Sequence, residues 1–242
     1  MTKILTILLV FIGIGAFGQN VQIDTLNLKK SERFKELQSE KMNYPLIRTG
    51  NKEIDSFINF DLKNKFTSNE YPTESIDSTL IKWAGDQIIH LDFNVTYNQN
   101  GILSLNVSAE GCGAYCSYWT EYFNYSTVTG NSLDISEIID ISGEFKTSIF
   151  KDKETQFKKQ KIELKEMLND SEAELDQSTY EWALEYYENC ENSFDLKSFS
   201  IYPDYIEINK SCHLPNAIKN LTPILTLKYK NAEIKEYLKI KN

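Results

Sequence analysis

Residues 87–126 restrict the fold more than any other stretch. In QIIHLDFNVTY (87–97), Leu91, Phe93, Val95 and Tyr97 alternate with His90, Asp92, Asn94 and Thr96. A period of two predicts a half-buried strand. ILSLNVSAE (102–110) repeats the pattern with Leu103, Leu105 and Val107, and NQNG (98–101) lies between the two segments. Gly101 supplies the positive φ that a tight turn needs, so the segments are predicted to form an antiparallel hairpin. SYWTEYFNYSTV (117–128) is predicted to be a third strand, ended by Thr129-Gly130. Such a meander has one apolar face, and the rest of the chain must supply the layer that covers it.

Between the second and third strands lie Cys112 and Cys116; the other two cysteines are Cys190 and Cys212. Their meaning depends on compartment. The chain opens MTKILTILLVFIGIGAFGQN, with Lys3 ahead of an apolar run from Ile4 to Phe17 and small residues at Ala16 and Gly18. The run is shorter than the roughly 20 apolar residues of a membrane span, and the pattern is that of a secretory leader, residues 1–18. An uncleaved anchor is the alternative. Four cysteines in an exported chain allow three disulfide connectivities. Local closure favours Cys112–Cys116 and Cys190–Cys212, worth about 2 and about 3.4 kcal/mol by loop entropy. A zinc site using these thiols with His213 is disfavoured by the lack of C-x-x-C spacing, which also disfavours a thioredoxin-like redox centre. No metal and no cofactor are expected.

Helical periodicity appears elsewhere. Ile54, Phe57, Ile58, Leu62 and Phe66 predict a helix over 52–66 capped by Asn51, after an extended MNYPLIR (42–48). Phe145, Ile149, Phe157, Leu164 and Leu168 predict a long charged helix over 144–169, preceded by a helical turn in SLDISEIID (132–140). A further helix is expected from Ser178, with Glu181 at capping-box spacing and Trp182, Tyr186 and Cys190 on one side. FDLKSFSIYPDYIEIN (194–209) predicts two short strands, NAIKNL (216–221) a helical turn, ILTLKY (224–229) a strand and NAEIKEYL (231–238) a final helix. The expected class is α+β: an antiparallel sheet with helices packed on one side, in the order β-α-β-β-β-α-α-β-β-β-α. Residues 19–41 are expected to be an N-terminal extension and 42–242 a single domain, divisible into tightly joined halves 42–130 and 131–242.

The chemistry-bearing residues are few. His90 lies on the polar face of a predicted strand and His213 beside a predicted disulfide, so both are read as structural. Neither G-x-S-x-G nor H-E-x-x-H occurs. Asp134, Glu137 and Asp140 have helical spacing but lack the dense ladder of a calcium loop. KKQK (158–161) is flanked by Glu and is read as a solvated helix face. The most suggestive group is Tyr115, Tyr118, Trp119 and Tyr122, with Phe123 and Tyr125 behind them. On a strand they fall on two faces; one face is core, and exposed Tyr or Trp on the other favours sugar or protein contacts.

Three stretches resemble the RsiV-like extracytoplasmic domain, which also precedes the catalytic part of PdaC-type peptidoglycan deacetylases. YPLIRTGNKEIDSFINFDL is similar to its Y-P-x-I element followed by I-x-x-F-I. NGILSLNVSAEGCGAY with YFNYSTVTGNSLDISEII resembles its hairpin, small-residue loop and closing segment. FSIYPDYIEI with ILTLKYKNAEIKEYL resembles its last strands. The resemblance implies an α+β fold in an exported envelope protein. This chain departs from it at Gly113-Ala114-Tyr115-Cys116, where the family often carries Ala-His.

The formal net charge is −9, which disfavours nucleic acid and anionic membranes and attracts cationic partners. Together these readings predict a secreted or periplasmic, non-catalytic binding module. Its expected partner is a cationic protein such as lysozyme, or cell-wall glycan (peptidoglycan), through Tyr115, Tyr118, Trp119 and Tyr122. The alternative is a cell-wall glycan hydrolase or a deacetylase-associated enzyme.

Overall fold

The computed structural model describes residues 20–28, 41–85 and 87–240. The predicted leader, 1–18, lies outside the described residues. The fold is α+β, with antiparallel sheets and helices.

The central sheet is the meander: β3 (Ile88–Gln99), β4 (Ile102–Cys112) and β5 (Cys116–Ser126), paired in that order after β1 (Gln22–Asn27) and β2 (Asn43–Arg48). Asn100 and Gly101, at φ 56° and 76°, form the two-residue turn between β3 and β4. That geometry suits the right-handed twist of a hairpin, and Asn-Gly adopts it with little strain. β1 and β2 form their own antiparallel pair, with Thr25 opposite Pro45. Part of the expected N-terminal extension is thus a strand, and Val21 and Leu28 at its ends are buried.

One face of the central sheet is covered by β1–β2, α1 (Lys52–Phe66) and α2 (Ile76–Ala84), a helix the sequence reading did not include. Tyr44, Ile47, Ile58, Leu62, Leu80, Leu91, Leu105, Val107 and Phe123 meet there in one buried cluster. Asn51 caps α1 by accepting from Glu53 N and Ile54 N at 3.0 and 3.4 Å. The buried stripe includes Ile58, Leu62 and Phe66, but Phe57 is 59% exposed. The register also departs from simple alternation. Val95 pairs with Leu105 and Tyr97 with Ser104, so Thr96 is an extra residue, a β-bulge. The bulge turns Tyr97 away from Leu91, Phe93 and Val95, and it packs in the second cluster instead.

That second cluster lies on the opposite side. It joins α3 (Ile135–Ile138), α4 (Glu144–Asn169) and α5 (Gln177–Asn192) to a second sheet of β6 (Phe199–Ile201), β7 (Tyr205–Ser211) and β8 (Ile224–Lys230). There are therefore several sheets rather than the single one expected. α5 begins one residue earlier than Ser178, with Asp176 as its cap, and buries Ala183, Tyr187 and Cys190, while Trp182 is 40% exposed. Residues 231–237 form turns and a bend and Leu238 bridges to Ile139, in place of the expected final helix. Cys112 is bonded to Cys116 and Cys190 to Cys212, with Cα separations of 4.0 and 5.6 Å.

The two layers are joined by polar contacts. Ile201 N donates to Ser104 Oγ at 3.0 Å, and Asn124 Nδ2 donates to Phe199 O at 2.9 Å. β6 thus lies directly against the second face of the central sheet, and buried Ser104 and Thr96 are satisfied there by their mutual 2.9 Å bond.

Candidate functional site

A cleft of about 550 Å³ lies between β5 of the central sheet and the β7–β8 part of the second sheet. Directly paired strand residues share a face, so Tyr118 and Tyr122, opposite Glu110 and Asn106, lie on the second face of the central sheet. Trp119, Phe123 and Tyr125, opposite Ala109, Leu105 and Leu103, lie on the first. The expected group of four is therefore divided. Tyr118 is 57% exposed and Tyr122 half-buried, both lining the cleft. Tyr115 stands at the loop tip, exposed, and is not among the cleft-lining residues. Trp119 also lines the cleft, but its ring packs against the first core, edge-on to Trp83 at 6.2 Å and close to Gly111, where an added Cβ would meet it at 3.4 Å.

The facing wall comes from β7, β8 and the segment between them. Register places Glu207, Asn209 and Ser211 with Lys228, Thr226 and Ile224 on one face of the second sheet. Asn209, Thr226 and Ile224 line the cleft, joined by Asn216, Lys210, Lys219 and His213. Ile224 is 76% exposed. A single apolar residue on an otherwise polar strand face was the one sequence signal for this wall. Lys210, Lys219 and Asn216 lie in segments whose placement follows only from the fold.

One link joins the two walls, and a second anchors the facing wall to α5. Lys219 Nζ donates to Cys116 O at 2.7 Å, tying the disulfide-closed tip of the β4–β5 hairpin to the 3₁₀ helix Asn216–Leu221. The Cys190–Cys212 bond ties the end of β7 to α5. Both are preorganising, because they remove freedom that a ligand would otherwise have to freeze.

The electrostatics of the cleft differ from those of the chain. Its lining contains Lys210, Lys219 and His213 and no Asp or Glu. Burial pushes the Tyr122 hydroxyl above its ordinary value, reinforced by Glu207 nearby, so Tyr122 is a neutral donor at physiological pH. Burial likewise raises the Glu121 carboxyl at the strand edge, opposed by His213. Alongside, Tyr202 and Tyr205 stack with centroids 4.2 Å apart, and Lys228 Nζ sits 3.4 Å above the Tyr205 ring. Burial, then Glu207, pushes Tyr202 up to about 12.

The remaining candidates have local roles. Asp134 and Glu137 form the capping box of α3, and Asp140 accepts from Ser142 N and Oγ at 2.9 and 2.6 Å. His90 is half-buried, its ring 6.5 Å from that of Tyr118. Among the described residues the one grouping of three ligand-type side chains is Glu110, Cys112 and Cys116, and its two sulfurs are bonded to each other.

The fold and cleft define an α+β domain with two disulfides, which fits an extracellular protein. Among the described residues no helix is long and apolar enough to cross a membrane. No protein-family model matches the sequence, and no curated protein does. Solved structures do. A member of the DUF3298 family from Bacteroides fragilis is similar over 92% of this chain and 96% of its own, with 11% identity and a TM-score of 0.56. A DUF3298 family protein from Pseudomonas aeruginosa is similar over 90% of this chain and 92% of its own, with 10% identity and a TM-score of 0.42. The neighbours thus belong to a domain family of unknown function, and the first of them shares this chain's fold.

Proposed function

We propose that the chain is an exported, non-catalytic binding module of the RsiV-like type, and that the cleft between its sheets takes cell-wall glycan. The observation that carries this reading is the cleft lining. It combines the exposed Tyr118 and half-buried Tyr122 rings with amides, hydroxyls and an exposed isoleucine, the mixture that a saccharide's apolar ring faces and polar rim require. The two disulfides, together with the leader-like pattern of residues 1–18, support delivery outside the cytoplasm.

The other readings fit the cleft less well. A cationic protein such as lysozyme matches the net charge of −9, but Lys210 and Lys219 would repel it from this cleft. A hydrolase needs two carboxyl groups roughly 5–9.5 Å apart across the scissile bond, and the lining holds no carboxylate.

Calorimetric titration of the protein with soluble cell-wall oligosaccharides tests the proposal. Binding is expected, and Ile224→Asp, which places a carboxylate on the cleft wall, is expected to weaken it at least tenfold. Absence of binding at millimolar oligosaccharide overturns the reading. Binding of lysozyme that Ile224→Asp leaves unchanged would transfer the function to a protein partner elsewhere on the surface.

A further inference from the structure

On the other side of Tyr122 lies a second, smaller cavity of about 310 Å³, beside the outer edge of β5. Tyr122 lines both spaces. We propose that this slot is a second subsite, which takes a short extended peptide carrying both an ammonium and a carboxylate group.

Three observations carry the proposal. β5 is an edge strand. The segment after it covers that edge only at one end, through Ser126 N to Asn131 O at 2.9 Å and Leu133 N to Asn124 O at 2.8 Å. Among the described residues no further backbone hydrogen bond reaches the outer edge from Ser117 to Phe123. An open edge pairs readily with another extended chain, and Glu121–Phe123 offers about 10 Å of it at strand rise. Second, Asn124 is 4% exposed and its Oδ1 has no partner. Its Nδ2 donates to Phe199 O, which fixes the orientation of the amide, so the orphan acceptor calls for an N–H or O–H donor. Third, the slot carries both signs of charge. Asp134 is engaged in its helix cap and Lys65 in a 2.8 Å pair with Asp61, which leaves Lys197 for a carboxylate and Glu121 for an ammonium.

The inference deepens the glycan reading and rests on it for one point, that peptide and saccharide belong to one ligand spanning Tyr122. Three probes separate the two claims: a cell-wall disaccharide, a free tripeptide of alanine, glutamate and lysine, and the disaccharide carrying that tripeptide. Binding is measured by calorimetry, with the Asn124 side-chain amide followed by NMR. The peptide-bearing disaccharide is expected to bind at least tenfold more tightly than the disaccharide and to shift the Asn124 amide. Lys197→Glu, at an exposed position, is expected to abolish that gain and leave disaccharide affinity unchanged. A peptide that adds no affinity, or a gain that survives Lys197→Glu, overturns the inference while the glycan reading stands. A tripeptide that binds and shifts Asn124 while the disaccharide does not bind overturns the glycan reading alone. No binding of any probe, with Asn124 held by solvent only, overturns both.

Discussion

Gln160 bonds the backbone of Ile224 twice: its Nε2 donates to Ile224 O at 2.6 Å and its Oε1 accepts from Ile224 N at 2.8 Å. One turn earlier, Gln156 Nε2 donates to Thr226 O at 3.0 Å. β8 is the edge of the second sheet, and a glutamine side chain from α4 there makes the bonds that a neighbouring strand would make. Capping an edge in this way removes a template for aggregation. Gln160→Ala is expected to lower stability by about 1–2 kcal/mol in urea denaturation and to increase light scattering on storage. Unchanged scattering would show that the edge needs no such cover.

Lys63 is fully buried, and its ammonium points at three backbone carbonyls, Tyr71 at 3.5 Å, Pro72 at 3.3 Å and Glu74 at 3.1 Å. Burial draws its pKa down, offset in part by Glu74. The turn between α1 and α2 therefore depends on one charge from inside the fold. Lys63→Met retains the aliphatic bulk but orphans the carbonyls, and it is expected to cost about 3 kcal/mol by urea denaturation. A loss under about 0.5 kcal/mol would mean that water replaces the ammonium at this turn.

Asp92 supplies an acid-side pH dependence. Burial opposes its ionisation, but Lys41 Nζ at 2.7 Å, the Phe93 backbone N–H and Asn43 Nδ2 outweigh burial and hold the carboxyl below its ordinary value. A depressed folded value means the stabilisation is present above the unfolded value of about 3.9 and disappears as pH falls through the folded one. Asp92→Asn is therefore expected to flatten the fall in urea midpoint below about pH 4. An unchanged acid limb would assign that limb to other carboxylates.

Much of this fold was legible because local pattern and tertiary environment agree. The Asn-Gly turn, the alternation over 102–107 and the stripe at Ile58, Leu62 and Phe66 are each set by period and turn chemistry. Tyr97 marks where legibility ends. One extra residue at Thr96 reverses its face, and a bulge has no signature in a β-branched, aromatic run. The cleft was half legible for a related reason. Tyr118 and Tyr122 could be placed on one face by counting, but Asn209, Lys219 and Ile224 reach them only through long-range packing across β6. α2 was missed because only nine residues, Ile76–Ala84, carry its pattern, and 231–238 turns rather than coils because Ile139 and Leu238 bridge there.

Neighbouring residues Tyr118 and Trp119 both line the cleft but leave the strand on opposite faces, and so give its sharpest test. Trp119 packs against Trp83 and the first core, so Trp119→Ala removes buried contact and is expected to cost about 2–3 kcal/mol of stability. Tyr118 has no such support, being 57% exposed over the cleft. Tyr118→Ala is expected to change stability by under about 0.5 kcal/mol and to weaken oligosaccharide binding at least tenfold. Paired urea and calorimetric titrations separate the two effects. If Trp119→Ala lost binding at unchanged stability while Tyr118→Ala retained it, Trp119 and not Tyr118 would carry the ligand in the cleft. The Trp119 ring would then have to turn from the first core toward the ligand, and its packing edge-on to Trp83 opposes this.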